Sequence, residues 1–405
     1  MAVGYRELPP LAAVEGIQLG IASAGVKYPG RRDLVVIALA KGSTVAATFT
    51  RNALCAAPVT VAKRHLQTAT PAYLVINTGN ANAATGEEGV RRALACCQAV
   101  AEAAAVPTAT VLPYSTGVIG EQLPAEKIIA AIPAAIADLN AAHWADAAAA
   151  IMTTDTIAKG ESQQFILQGR SVTITGIVKG SGMIHPNMAT MLAYIATDVA
   201  LPAALLQQAL TAVVAKTFNR VTVDGDTSTN DAVTLIATGC SKVALDSLES
   251  ADGQAFVAAL TAVALRLAQL VIRDGEGATK FIEIEVSGAL SSDEAAVVGF
   301  TIAHSPLVKT ALFASDPNLG RIVAAVGRAP IADLQIEKVN IALGSVAFVA
   351  NGAVAAGYRE ADGAREMAKE EIKIIVQMGR GDASATVWTT DFSYEYVKIN
   401  AEYRS

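Results

Sequence analysis

The stretch that decides the reading is KGSGMIHPNMATMLAYIATD, running from Lys179 to Asp198. A lysine and a glycine turn lead into a loop containing Pro186 and Asn187. Thr190 follows, and then the apolar run MLAYIA, which predicts a buried strand. A hydroxyl residue at the head of a strand, directly after a loop rich in Gly, Pro and Asn, is unusual placement for a plain core residue. It is where a chain would present a nucleophile, with a rigid element anchoring one side and open backbone on the other.

Outward from this stretch, the 405 residues are 52% hydrophobic and only 17% charged, the composition of a globular chain. The length allows two or three domains, or one large two-lobed body with ample core. The net charge of −6 and the lack of any Lys/Arg-rich patch argue against a nucleic-acid partner and leave a small polar metabolite as the better substrate class. The four cysteines, Cys55, Cys96, Cys97 and Cys240, show no CxxC or Cys/His spacing for zinc, and their usage fits a reducing cytoplasm. His65, His143, His185 and His304 show no HExxH or other ligand spacing, so no metal is expected. His185, close to Thr190, is tempting as a base. The N-terminal MAVGYRELPP has neither an apolar core segment nor an Arg/Ser-rich pattern, so a cytoplasmic protein is expected. The longest apolar stretch, QAFVAALTAVALRLAQLVI, carries Arg266 and Gln269 and predicts a buried or amphipathic helix, not a membrane span.

The rest of the pattern is mixed α/β. LVVIALA (34–40) and STVAATFT (43–50) flank a tight turn and read as a hairpin. The strand YLVIN runs into a loop crowded with Asn, Thr and Gly, and then into a helix from about Glu87 to Ala105. Such a strand–loop–helix unit aims backbone amides at a ligand, or merely connects its ends. Neither GxGxxG nor GxxxxGK[ST] occurs, so no nucleotide cradle is expected. TATVLPYSTGVIGEQLP (108–124) is a strand ending in small hydroxyl and glycine residues. That is the composition of an oxyanion hole, because glycine lets a developing alkoxide approach the backbone; alone it also fits a bare turn. Residues 123–150 are Ala-rich and helical, 162–178 alternate as a hairpin, and 201–218 and about 254–272 have helical spacing. Asp224, Asp226, Ser228 and Asn230 alternate as in a calcium loop, but Thr229 stands where the loop needs Gly and Leu235 where it needs Glu. FIEIEV is a strand, Ser305-Pro306 opens a helix, VNIALGSVAFVANG is a hairpin, and two further strands precede a tail that pattern alone would leave frayed.

GMIHPNMATML (182–192) resembles the self-cleaving segment of the ornithine acetyltransferase family, the glutamate N-acetyltransferases of the cyclic arginine pathway. STGVIG, MTTDT (152–156) and the segment around Asp224–Asp231 extend the likeness over essentially the whole chain. Ala158 stands where a Pro is usual, Ala84 where many members carry Cys, and Ser405 where many end in Thr. The resemblance implies a mixed α/β (α+β), two-lobed, self-processing acyltransferase fold. The chain would cut itself between Ala189 and Thr190, giving products 1–189 and 190–405 that share one active site. Thr190 would be the nucleophile, and Thr116 and Gly117 the oxyanion hole. Thr156, Lys179, Thr190, Glu276, Asn400 and Ser405 would hold substrate, with Glu276 on an amino group. No base role is implied for His185, which is read as structural. No cofactor is implied. The substrates would be N-acetylornithine and glutamate, and the sequence leaves acetyl-CoA open as a second donor. The implied assembly is a heterotetramer of two copies of each product, with neither nucleic acid nor membrane as partner.

The chemistry is coherent. A threonine hydroxyl needs a base to take its proton. Cleavage would create one in the residue's own α-amine, with an ordinary pKa of about 7.7–8.0. Thr190 would accept acetyl from N-acetylornithine and pass it to glutamate by double displacement. Two other readings compete: a self-processing hydrolase of the β-aminopeptidase kind, which would pass the acyl group to water, and an α/β amino-acid-binding protein that never cuts itself.

Overall fold

Residues 2–4, 7–185 and 191–402 are described by the computed structural model. The chain first forms β1 (Ile17–Ala22), β2 (Leu34–Leu39), β3 (Thr44–Phe49), α1 (Ala57–Thr68), β4 (Tyr73–Asn80), α2 (Gly86–Ala104) and β5 (Val111–Val118). Next come α3 (Ala125–Ala137), α4 (Trp144–Ala150), β6 (Lys159–Leu167), β7 (Arg170–Lys179), β8 (Leu192–Thr197), α5 (Ala203–Lys216), β9 (Ala232–Ala237) and α6 (Ala251–Arg273). The last part comprises β10 (Phe281–Ala289), α7 (Ser292–Ala303), α8 (Pro306–Phe313), α9 (Leu319–Gly327), β11 (Asn340–Leu343), β12 (Val346–Ala350) and β13 (Ala353–Val354). It ends with α10 (Glu360–Met367), β14 (Glu371–Gln377), β15 (Ala383–Thr390) and α11 (Tyr394–Ala401).

Two sheets stack in the first lobe. One has the order β1-β2-β4-β5 and the other β3-β9-β8-β7-β6. Their central strands do not alternate between buried and exposed residues. LVVI of β2 and all six residues of β8 and β9 are buried, as strands covered on both faces must be. The interface between the sheets is filled by Ile17, Leu74, Leu112, Tyr114, Ile177, Tyr194 and Ile236, with Trp144 of α4 wedged into the same cluster. Tyr114 meets Tyr194 edge-on and shares a 2.8 Å hydrogen bond with Thr234, which fixes one sheet over the other. Helices α2 and α3 cover the outer face of the first sheet. Helices α5 and α6 cover the outer face of the second. The result is four layers, helix–sheet–sheet–helix.

Helix α6 shows how the sequence gives this. Ser250 caps its N-terminus by accepting a hydrogen bond from Gly253 N. Phe256, Leu260, Val263, Ala264, Leu267 and Val271 then recur at three- and four-residue intervals and are buried against the sheet. By length and composition α6 is apolar enough to cross a membrane, but here those residues fill a core. Cys96 and Cys97 are buried on α2, with burial pushing the Cys96 thiol up to about 12; they pack and do not react.

The second lobe is one sheet, β13-β12-β11-β14-β10-β15, with α7, α8 and α9 over its core. Ser305 caps α8 and Pro306 occupies its first turn, as the Ser-Pro pair predicts. The expected β11–β12 and β6–β7 hairpins form.

The hairpin expected of 34–40 and 43–50 does not. β2 pairs with β1 and β4, whereas β3 pairs with β9 in the other sheet. Ser43 bonds back to Ala40 O through both its N–H and its hydroxyl, so the turn is tight. It carries the chain from one stacked sheet to the other. A Gly turn between two apolar strands looks the same locally in either case, and only the stacking decides.

Candidate active site

Parallel strands β4 and β5 end side by side at the carboxyl edge of the first sheet, where open α/β sheets place ligands. Their last residues pair as Thr78 with Thr116 and Gly79 with Gly117, and the register then breaks at Asn80. Gly117 has φ +135°, and a Cβ there would lie 2.3 Å from Gly79 C and 2.5 Å from Asn80 N. No other residue fits this close approach of two backbones. The sequence thus puts a glycine where the strand pair kinks open, beside the hydroxyl of Thr116.

Lys179, the last residue of β7, reaches this edge from the second sheet. It is buried and donates to Thr116 Oγ1 at 3.3 Å. The lysine occupies an acceptor lone pair of that oxygen and leaves the hydroxyl proton free to donate elsewhere. Burial lowers the Lys179 pKa, opposed by the carboxylate of Asp155. Glu276, on the turn after α6, is 7% exposed, so it is not the solvated surface charge that a lone Glu in a turn suggests. Its N–H is bonded to Ser181 O and its carboxylate accepts from Asn400 Nδ2 at 2.9 Å. Gly182 makes room for it: a Cβ at 182 would lie 2.3 Å from the Glu276 carboxyl.

These residues enclose a cavity of about 210 Å³, whose walls include Thr116, Gly117, Thr154, Lys179, Glu276 and Asn400. Its wall carries opposite charges, Lys179 and Glu276. Of the expected residues, Thr116, Gly117, Lys179, Glu276 and Asn400 are brought together. Ala189, Thr190 and Ser405 lie outside the described residues. Thr156 stands apart from the cavity wall: it is exposed, and its N–H and hydroxyl both donate to Asp274. Thr153 and Thr154 of the same MTTDT run line the cavity instead. Among the described residues, no group of three His, Cys, Asp or Glu side chains is placed to hold a metal ion.

Sequence reasoning does not reach the scaffold beneath. Lys159 is fully buried between Asp155 and Asp274, at 2.6 Å from each. Asp155 also accepts from Gly180 N at 2.6 Å and from Thr153 N at 2.8 Å. Burial alone would raise its carboxyl, but Lys159 and Lys179 outweigh burial and hold it well below the carboxylate range. The triad thus fixes the Thr153–Thr156 turn, the start of the Gly180 loop and the end of α6.

The segment 224–231 also gains a structural account. The Asp224 carboxylate accepts from Met183 N at 2.7 Å and Ile184 N at 3.0 Å, holding the chain just before the expected cleavage segment. Asn230 donates to Ala81 O at 2.6 Å and Ser115 O at 2.8 Å, tying this segment to β5 and the loop after β4. Ser228 and Asn230 line the cavity. His185 pairs with His304 at 3.0 Å, and burial holds His304 down to about 4. The pair is neutral packing, in keeping with the structural reading of His185.

The ArgJ family model matches residues 18–405. The chain belongs to the ArgJ family. The "Arginine biosynthesis bifunctional protein ArgJ" of Pseudomonas fluorescens (strain Pf0-1) is 55% identical over 408 residues, covering 100% of both chains. The protein of the same description from Methylococcus capsulatus is 54% identical over 395 residues, covering 98% of this chain and 97% of its own. Among solved structures, the ArgJ protein of Bacillus halodurans is 38% identical, covers 51% of this chain and 97% of its own, and has a TM-score of 0.49. The ornithine acetyltransferase of Mycobacterium tuberculosis, solved with ornithine, is 30% identical, covers 45% of this chain and 97% of its own, and has a TM-score of 0.39.

Proposed function

We propose that this ArgJ-family chain cuts itself before Thr190 and then uses Thr190 to carry acetyl across the cavity between Lys179 and Glu276. The chain is an acetyltransferase of arginine biosynthesis, moving acetyl from N-acetylornithine to glutamate. The observation that carries the site reading is the cavity with a hydroxyl–glycine pair and opposite charges in its wall.

Thr190 Oγ first attacks the Ala189 carbonyl; breaking of the C–N bond frees the α-amine and leaves Ala189 as an ester on Oγ, and water then opens that ester, releasing the Ala189 carboxylate and restoring the Thr190 hydroxyl. In transfer, that amine takes the Thr190 hydroxyl proton as Oγ attacks the acetyl carbon of N-acetylornithine. The oxyanion forms against Thr116 and Gly117. Collapse breaks the acetyl C–N bond, and ornithine leaves with the proton on its α-amine. The α-amine of glutamate then attacks the acetyl ester, and Thr190 Oγ departs with a proton restored. Lys179 takes the substrate carboxylate, Glu276 and Asn400 an ammonium, and Ser405 adds a further hold on substrate. Thr156 supports the Thr153–Thr154 wall through Asp274. No resident cofactor is needed. Acetyl-CoA serves as a second donor, a reading supported by the "bifunctional" description of the relatives. The products 1–189 and 190–405 assemble as two copies of each, in the cytoplasm.

A denaturing mass spectrum is the test. Two masses matching 1–189 and 190–405, with acetyl passing to glutamate in preference to water, are expected. A single full-length mass from active enzyme would overturn the nucleophile assignment, and transfer to water alone would make the chain a hydrolase.

A further inference from the structure

The double displacement sets the cavity an electrostatic problem. The donor and the acceptor share an α-carboxylate and an α-nitrogen that must face the nucleophile. In N-acetylornithine that nitrogen is an uncharged amide, so its only ammonium is at the end of the side chain. The ammonium that Glu276 holds is therefore the side-chain one. Glutamate ends its side chain in a carboxylate, and pointing that at buried Glu276 would set two negative charges against each other in a poorly solvated place.

A second cavity, of about 200 Å³, adjoins the first and shares Gly117, Val118, Thr153 and Thr154 with it. Its far wall carries Lys27, Tyr28 and Arg31. These belong to the connection between β1 and β2, and that connection is built to hold its shape. The carboxylate of Asp33 accepts from Ala24 N at 2.6 Å, Gly25 N at 3.3 Å and Val26 N at 2.6 Å. Among the described residues of this wall Asp33 is the one acid, and those amides take up its charge. Gly79 at the end of β4 lets the loop come close, since a Cβ there would lie 3.1 Å from Lys27 Cβ. Arg31 donates to Met152 O at 2.6 Å, so its guanidinium is set against the turn that bears Thr153 and Thr154. Helix α11 spans both spaces, with Ile399 in the wall of one and Asn400 in the wall of the other.

We propose that the Lys27/Arg31 cavity is the acceptor's side-chain subsite, taking the γ-carboxylate of glutamate while the Glu276 cavity takes the ammonium of ornithine. The two amino acids share the anchoring of their common part and send their side chains to opposite sides of the Gly117–Thr154 wall. One nucleophile then serves substrates of opposite side-chain charge with no titration or movement of Glu276. The assignment rests on the acetyl-threonine reading above.

The test is steady-state transfer by the processed enzyme, with glutamate and N-acetylornithine varied separately. It is run beside the exchange of labelled ornithine into N-acetylornithine, a donor half-reaction that needs no glutamate. Lys27→Met is expected to raise the KM for glutamate roughly tenfold or more, the loss of a hydrogen bond to a charged group. Neither the KM for N-acetylornithine nor the ornithine exchange should change, and Lys27→Arg should restore the glutamate KM. An unchanged glutamate KM, or an equal rise for both substrates, would overturn the assignment. So would an effect confined to acetyl-CoA as donor, which would give these cations to the phosphates of the thioester. Wild-type enzyme that shows no ornithine exchange would instead remove the acetyl-threonine reading, and the subsite with it.

Discussion

At the scale of single residues, Gly117 combines two demands that no side chain meets together. Its φ of +135° is open to glycine, and the space where a Cβ would go is taken by Gly79 C and Asn80 N. Adding one methyl group must therefore push β4 and β5 apart at the proposed oxyanion hole. Self-cleavage and acetyl transfer both pass through a tetrahedral oxyanion, so the same displacement should slow both. Gly117→Ala is expected to lower each rate on the order of 10²-fold, the usual effect of losing one oxyanion donor. The measurement is the time course of chain cleavage beside single-turnover transfer. A variant that cuts normally but fails to transfer would show that the two reactions use different donors. Besides its proposed hold on the substrate carboxylate, Lys179 orients its neighbour: its ammonium engages Thr116 Oγ1 and so leaves that hydroxyl's own proton to point elsewhere.

At the scale of elements, the site is held by the buried run Asp155–Lys159–Asp274, which joins the MTTDT turn, the first residue of β6 and the end of α6. Removing the cation alone leaves two carboxylates buried at 0% and 1% side-chain exposure. Lys159→Met is thus expected to cost about 3–5 kcal/mol and to lower the melting midpoint by several degrees. An unshifted midpoint in calorimetry would mean that water reaches the acids. Much at this level is legible in the sequence. The caps and apolar spacing of α6 and α8 and the β6–β7 alternation are local signals, and local physics decides them. The expected β2–β3 hairpin fails because the KG turn crosses between stacked sheets, a fact carried by residues far along the chain. Glu276 and Lys179 can be picked out by resemblance, but their burial cannot. It depends on Gly182 and Asp155, which the fold brings in from elsewhere. Sequence alone does not separate Thr153 and Thr154 from Thr156, because three threonines within four residues are alike until Asp274 engages one of them. Helix α11 forms where pattern alone suggests a frayed tail, because Ser393 caps it and Asn400 bonds to Glu276.

At the scale of the whole molecule, the expected cut does not divide the fold where its lobes divide. The second lobe's sheet begins only at Phe281. Strands β3, β6 and β7 precede the Ala189–Thr190 bond, and β8 and β9 follow it, yet all five form one sheet. β7 pairs with β8 from Ile174–Thr197 to Lys179–Leu192, and β3 pairs with β9 along its length. Lys159 and Thr156 reach across to Asp274, and Val3 N bonds to Arg273 O. Neither product could bury its share of the central core alone, because Ile177 and Tyr194 belong to the same cluster from opposite sides of the cut. The two products should therefore remain one particle without denaturant, and native mass spectrometry should show them together where denaturing conditions show them apart. Refolding then distinguishes the cut chain from the intact one. For cleaved enzyme, regaining the sheet is an association of separate chains, so the yield of activity should fall on dilution. Thr190→Ala, which is expected to stay uncut, should regain its native fluorescence independently of concentration, because β7 and β8 then stay joined in one chain. Products that separate on a sizing column at neutral pH would show that the sheet does not hold across the cut, and equal dilution dependence in both proteins would show that assembly of whole subunits, not rejoining of the halves, limits refolding.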